Sequence, residues 1–378
     1  MGSPTKRPRD DFSHSASSDS ITHDYDETPR PVKSHRPSLS GRTPSQRSAA
    51  SSSRISPKKQ LSERQNKPAP ITVLQYAPDE ARVPASLREI WREMARFSKG
   101  TKVIAKRLEA DINTQRATYP QLDTIESWYY DDDAKRDELG PSPSVAQVLS
   151  VLDAAKVCSN EGYCEASWNM VVHLRVMQLA VPLYAAGSEG KVSFMPCPTA
   201  KIIDKYTDTR GPSRRVDFCM LLEPEAHAAE AIRAIQYQDD LLSMSINHTN
   251  YAPLRRRPIG LSIETKGHDE GLGDAKTQLL IWFAAQWQSL ERLAHRLEPL
   301  QPLPDFLPGV IIEGHQWYFV ASTKDKSETI LWMKQLIGST EEAIGVYSIV
   351  CALQYLSRWI RTVYWPVFQR YLLPPQPA

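Results

Sequence analysis

Pro258-Ile259-Gly260-Leu261-Ser262-Ile263-Glu264-Thr265-Lys266-Gly267 is the stretch on which the reading of this chain turns. Leu261, Ile263 and Thr265 alternate with Ser262, Glu264 and Lys266, the period-2 signature of a strand with one apolar and one polar face. A carboxylate and an ammonium therefore point the same way on a strand expected to be mostly buried. Burying charge is unfavourable unless a partner compensates it or chemistry uses it. Upstream, Arg215-Val216-Asp217-Phe218-Cys219-Met220-Leu221-Leu222 reads as a second strand, apolar between its ends except for Asp217.

An acid followed two residues later by lysine is a weak signal by itself. It occurs at Asp133/Lys135, Glu189/Lys191, Glu264/Lys266 and Asp274/Lys276. Context separates them. Only Glu264 and Lys266 lie in an alternating strand that follows another strand with one aspartate and precedes a long helical pattern. The structural reading of the same residues is an ion pair between Glu264 and Lys266, with Asp217 as a strand-end charge. On that helix Gln278 and Trp282 stand four apart.

The set Asp217, Glu264 and Lys266 resembles the PD-(D/E)xK nuclease superfamily, in particular its nuclease-like branch found in fungal proteins. Gln278 and Trp282 resemble the Gln-x-x-x-Tyr element of RecB-type members, with Trp in place of Tyr. The resemblance implies an α/β, restriction-endonuclease-like core: a small central mixed sheet flanked by helices. Its order of helix, three strands, helix and strand matches helix 164–179, strands near 191, 216 and 261, helix 274–297 and a strand near 309. It implies a hydrolase that cuts phosphodiester bonds, most readily those of DNA, as an endo- or exonuclease. Hard oxygen ligands from Asp217, Glu264 and the Thr265 carbonyl suit Mg²⁺ or Mn²⁺, and Glu165 is the candidate for a further ligand. Lys266 would hold the attacking water or neutralise developing charge, and Gln278 would orient the lysine or touch the phosphate. Val216 stands where many members have proline, and some members are inert. A silent nuclease fold used to bind nucleic acid or protein is therefore the alternative.

The helix expected over Cys164–Leu179 carries Glu165, Asn169 and His173 at i, i+4 and i+8, one polar stripe on a helix otherwise rich in apolar residues. Read without the family, the stripe is a hydrogen-bonded core network or a solvent-facing edge. The cluster Arg255-Arg256-Arg257, at the end of a long loop from Asp239, is either a contact for phosphate backbone or a solvated loop.

Residues 1 to 70 hold 13 Lys and Arg against 7 Asp and Glu, which leaves the remainder of a chain of net charge +2 at −4. The folded part is thus no general polyanion clamp, and local patches, metal ions or the tail must supply any attraction for nucleic acid. With 16 serines and almost no large apolar residue, that tail cannot offset its conformational entropy and is expected to be disordered. Its clusters Lys6-Arg7-Pro8-Arg9 and Lys58-Lys59 suit nuclear import or a generic solvated tail. Residues 71 to 140 read as a helical N-terminal extension, with Leu87, Ile90, Trp91, Met94 and Phe97 at helical spacing and a second helix over Val103–Ile112. The nuclease-like domain is expected over 141–374, opening with Ser144 as a helix cap. The five cysteines form no CxxC pair and read as reduced thiols of an intracellular protein. No signal peptide is apparent. The run Ala343–Ser357 reads as too short to span a bilayer. No GxxxxGK(S/T) loop for a nucleotide cofactor is present, and nothing points to an oligomeric state.

Overall fold

The computed structural model describes residues 70–183, 190–207, 215–240, 242, 244–267 and 272–373. In chain order its elements are β1 (Ile71–Gln75), α1 (Ala85–Ser98), β2 (Ile104–Ala105), α2 (Glu109–Gln115), β3 (Tyr130–Asp131), α3 (Asp133–Asp137), α4 (Val145–Asn160), α5 (Glu165–Trp168), α6 (Leu174–Ala180), β4 (Val192–Pro196), β5 (Phe218–Leu222), α7 (Ala226–Gln238), β6 (Ile259–Lys266), α8 (Leu272–Ala294), β7 (Leu307–Glu313), β8 (Gln316–Asp325), β9 (Glu328–Ser339), α9 (Ala343–Trp359) and α10 (Trp365–Leu372). Seven strands make one mixed sheet in the order β1-β9-β8-β7-β6-β5-β4, flanked by helices, the α/β class expected.

The pairings fix which ends of the strands meet. β6 runs parallel to β7, β7 and β8 are antiparallel, β8 and β9 are antiparallel, and β9 is parallel to β1. The carboxyl ends of β6, β7, β9 and β1 therefore share one edge of the sheet. β6 lies inside it, with β5 antiparallel on its other side. All eight residues of β6 are buried, including both charged ones. The polar face predicted for this strand exists, but α8 covers part of it. Trp282 Nε1 donates to Ser262 Oγ at 2.9 Å. Gly309 on β7 lets α8 come this close, because a Cβ there would lie 2.8 Å from Phe283 Cζ. The β7–β8 hairpin closes on Gly314 at φ +54°, where glycine avoids the strain of a side chain.

Ser144 caps α4 in a reciprocal capping box with Gln147, as its sequence position suggests. Asp132 caps α3, so the acidic triplet Asp131-Asp132-Asp133 is used at least in part for local structure. Two helices contain π-helical turns. Asn169–His173 joins α5 to α6, and Ile360–Tyr364 joins α9 to α10. The second stands just before Pro366, whose ring would meet the Thr362 carbonyl in a regular α-helix, and a wider turn relieves that clash.

Several expectations need correction. The stretch 71–140 is not only helical: Ile71–Gln75 is the edge strand β1, paired with β9 from Ile71/Thr329 to Gln75/Met333. The helix expected over Val103–Ile112 splits, because the buried Ile104 and Ala105 pair with Tyr130 and Asp131 and only Glu109 onward is α-helical. Asp217 lies just before β5 rather than inside it, although its N–H still donates to the Ile263 carbonyl at 3.0 Å. The apolar run from Ala343 continues to Leu372, and those 30 residues are long and apolar enough to cross a membrane. Here 83% of their apolar window is buried inside the fold, as in a core helix. Apart from Pro70, the expected tail lies outside the described residues, as do residues 208–214 and 268–271. All five cysteines are free thiols, four of them buried and Cys164 exposed.

Candidate active site

Because successive side chains of β6 alternate, Glu264 and Lys266 share a face at the carboxyl end of the strand. Lys266 Nζ donates to Glu264 Oε1 at 2.7 Å and to the Thr265 carbonyl at 2.7 Å. It also reaches Glu165 Oε2, at the start of α5, at 3.3 Å. Glu264 is wholly buried, and its second oxygen, Oε2, has no hydrogen-bond partner. Asp217 approaches from the residue just ahead of the neighbouring β5, with Oδ2 accepting from Thr265 N and Thr265 Oγ1, both at 2.9 Å. Glu165, Asn169, Arg215, Asp217 and Gln278 face a common cavity of about 500 Å³. Gln278 Nε2 donates to the Arg215 carbonyl at 2.7 Å, fixing the chain just ahead of Asp217.

The electrostatics follow from this crowding. Burial pushes the Glu264 carboxyl well above the usual carboxylate range, and Asp217 adds to the push against the downward pull of Lys266. Burial acts downward on Lys266, but Glu264, Glu165 and Asp217 outweigh it and hold its ammonium above the ordinary lysine value. The lysine therefore keeps its proton. Three carboxylates against one ammonium leave a surplus of two negative charges when all are ionised.

Divalent-ion chemistry fits this donor set. The ligands are hard oxygens, one carboxylate oxygen is buried without a partner, and an ammonium bridges two carboxylates and a main-chain carbonyl in the manner of a cation. The cage is not preassembled. No group of three His, Cys, Asp or Glu side chains poised to hold a metal is found among the described residues. Lys266 stands between Glu165 and Glu264, and Asp217 is turned onto Thr265.

The polar stripe of the α5–α6 helix divides at its π turn. Glu165 and Asn169 face the cavity, whereas His173 is buried between the Asn169 side-chain amide, 2.9 Å from Nδ1, and the Gly314 carbonyl, 3.0 Å from Nε2, so that a neutral ring donates on one side and accepts on the other. Burial lowers the His173 pKa to about 4, so the ring is a neutral strut. Trp282, expected to stand in for a tyrosine near the site, is fully buried against Ser262 and His248. The larger indole reaches into the core.

Arg255, Arg256 and Arg257 are not brought to this site. They precede β6 at its amino end, roughly 25 Å from Glu264 at about 3.3 Å per residue. Arg257 Nε is bound to Glu223 Oε2 at 2.5 Å, Arg256 Nε to Gln236 Oε1 at 2.9 Å and Arg255 Nε to the Asn250 carbonyl at 3.2 Å. Sequence reasoning also missed two features. Arg215 lines the cavity, and nothing in the sequence set it apart from other basic residues. Behind Asp217, the buried thiols of Cys197 and Cys219 lie 3.5 Å apart, and the Cys197 N–H donates to the Asp217 carbonyl at 2.7 Å.

A mixed sheet that delivers two acids and a lysine to the end of a central strand, beside a helix-borne glutamate, defines a nuclease-like α/β domain. The model of the PD-(D/E)XK nuclease superfamily matches residues 114–365, well over half of the chain. The chain belongs to that superfamily. No curated protein and no solved structure matches it significantly.

Proposed function

We propose that the chain is a metal-dependent nuclease that hydrolyses phosphodiester bonds, with DNA as its substrate and Mg²⁺ or Mn²⁺ as its cofactor. The observation that carries this reading is the lodging of Lys266 Nζ among Glu264 Oε1, Glu165 Oε2 and the Thr265 carbonyl, beside the unpartnered Glu264 Oε2. Asp217, Glu264, Glu165 and the Thr265 carbonyl would hold the cation. When bound, it supplies a coordinated water of lowered pKa and polarises the phosphate. Lys266, protonated in its acidic surroundings, neutralises the charge that gathers on the phosphate as the water oxygen bonds to phosphorus and the ester oxygen departs. Gln278 keeps Arg215 and Asp217 in place on the cavity wall. The tail clusters Lys6-Arg7-Pro8-Arg9 and Lys58-Lys59 fit nuclear delivery of such an enzyme.

One observation favours a second reading. Lys266 already fills the space between Glu165 and Glu264 and no ready-made ligand cluster exists among the described residues, as in a silent nuclease fold used for binding. A cleavage assay separates the two. The protein is tested against supercoiled, linear, branched and single-stranded DNA and against RNA, with Mg²⁺, Mn²⁺ or EDTA, beside Glu264→Ala. Metal-dependent cutting that Glu264→Ala abolishes supports the enzyme. Failure to cut any substrate, with both proteins folded, supports the binding module.

A further inference from the structure

The cavity that Glu165 and Asp217 line has a second wall of different chemistry. Met170, Leu174, Pro196 and Pro198 form it, where the α5–α6 helix meets the end of β4. Met170, on the π turn, keeps 70% of its surface exposed. The fold does not bury this apolar surface, and the carboxylates have no use for it.

Asn169 stands between the two walls, one helical turn on from Glu165 and next to Met170. His173 fixes its amide from behind. The Gly314 carbonyl, 3.0 Å from His173 Nε2, can only accept, so Nε2 carries the one proton of the buried, neutral ring. Nδ1, 2.9 Å from the Asn169 amide, is then a lone pair. The amide must meet it with an N–H, because an oxygen there would set two acceptors against each other. This leaves the Asn169 carbonyl oxygen and its second N–H to the cavity, and neither has a partner among the described residues.

An apolar wall beside one fixed acceptor and donor matches a nucleobase, which joins a flat face to an edge of donors and acceptors. The volume, about 500 Å³, is that of a site for one small ligand. In continuous duplex both faces of a base are stacked and its pairing edge is taken. A base can therefore enter only where the strand is unpaired or the base is turned out. Such a contact also needs no positive charge, which suits a folded part of net negative charge.

We propose that the cavity receives one unpaired nucleobase of the DNA strand, its face on Met170, Leu174 and the two prolines and its edge on the Asn169 amide. That the adjoining phosphodiester is the bond cut rests on the nuclease reading; the seat for the base does not.

The test uses the full chain and a fluorescent duplex of about 20 base pairs in three forms. One is fully paired, one carries three unpaired nucleotides in one strand, and one has those three made abasic. Each is titrated in EDTA and again with Ca²⁺ as a cation for the oxygen ligands, and gels confirm that the DNA stays intact. In at least one condition wild type should bind the bulged form about fivefold tighter than the other two, the lower end of the scale for one stacked base. Met170→Gln and Asn169→Leu should each bring the bulged and abasic forms within about twofold of one another. Equal binding of those forms by wild type, a preference that either variant keeps, or no binding in either condition would overturn the proposal. So would nitrogen NMR shifts that place the His173 proton on Nδ1. Thermal melting checks the fold, and Met170→Gln, at an exposed position, serves alone if Asn169→Leu melts early. A protein with this preference that cuts nothing in Mg²⁺ or Mn²⁺ would refute the nuclease reading and leave the base seat standing. Cutting that ignores the bulge and its bases would do the reverse.

Discussion

The two ends of β6 carry similar numbers of charged residues and differ in everything that decides what charge does. At the amino end, Arg255, Arg256 and Arg257 are each tied to a neighbour: a carbonyl, an amide and the carboxylate of Glu223. At the carboxyl end, Glu264 is wholly buried with one oxygen unpartnered, and Lys266 serves two carboxylates at once. Local partners account for the first end. With its carboxylates ionised, the second holds more negative charge than Lys266 can balance, an arrangement expected where a ligand completes the site. A run of basic residues is therefore a poorer guide to function than an imbalance of buried charge.

The sharpest way to break this comparison is by activity. Glu264→Ala should lower metal-dependent cleavage by at least about 10²-fold, the usual scale for removing a group that acts on the transition state. Arg255→Ala/Arg256→Ala should change it by less than about twofold. Single-turnover rates on one DNA substrate make the measurement, and comparable losses in the two proteins would erase the distinction between the ends.

Stability gives the next largest contrast. Lys266→Ala leaves Glu264 buried without its cation, which commonly costs about 3 kcal/mol or more. Arg257→Ala breaks the Glu223 pair, where both side chains keep about a fifth of their surface, and should cost about 1 kcal/mol. Urea melts of the two variants compare them directly. If Lys266→Ala were as stable as wild type, Glu264 would be tolerating burial without the lysine.

The sequence made much of the carboxyl end legible, because alternation fixes which side chains of a strand share a face. Glu264 and Lys266 had to lie together once the strand was recognised, and α8 had to follow. It could not show that Lys266 would reach Glu165, since that contact joins residues 101 apart in the chain. The π turn that separates Glu165 and Asn169 from His173 has no reliable sequence signature, so one stripe became a cavity wall and a core strut. β1 was missed because its five residues, assigned to the helical N-terminal extension, are too few to show a period of their own. Its pairing depends on β9, far along the chain. The charge of the arginine triplet was legible, but the partners of its guanidinium groups were not, because sequence displays charge and hides partners.

The finest comparison uses a buried histidine near each end of β6. Burial holds the His173 pKa near 4 and the His248 pKa near 3, against 6.5 for the free side chain. Both rings are neutral in the folded protein, so their contribution to stability is complete above about pH 6.5. It fades as the pH falls toward 4 for His173 and toward 3 for His248, because the unfolded chain takes up those protons first. Between pH 7.5 and 5 each should withdraw roughly 2 kcal/mol. The two differ in their partners. His173 binds Asn169 and the Gly314 carbonyl, whereas neither nitrogen of His248 has a hydrogen bond. His173→Leu should therefore cost about 1 kcal/mol at pH 7.5 by leaving that carbonyl unsatisfied. His248→Leu should be nearly neutral at pH 7.5 and more stable than wild type at pH 5. Urea melts at the two pH values test this. A His248→Leu protein that is no more stable than wild type at pH 5 would mean that the ring finds a way to carry its proton inside the fold.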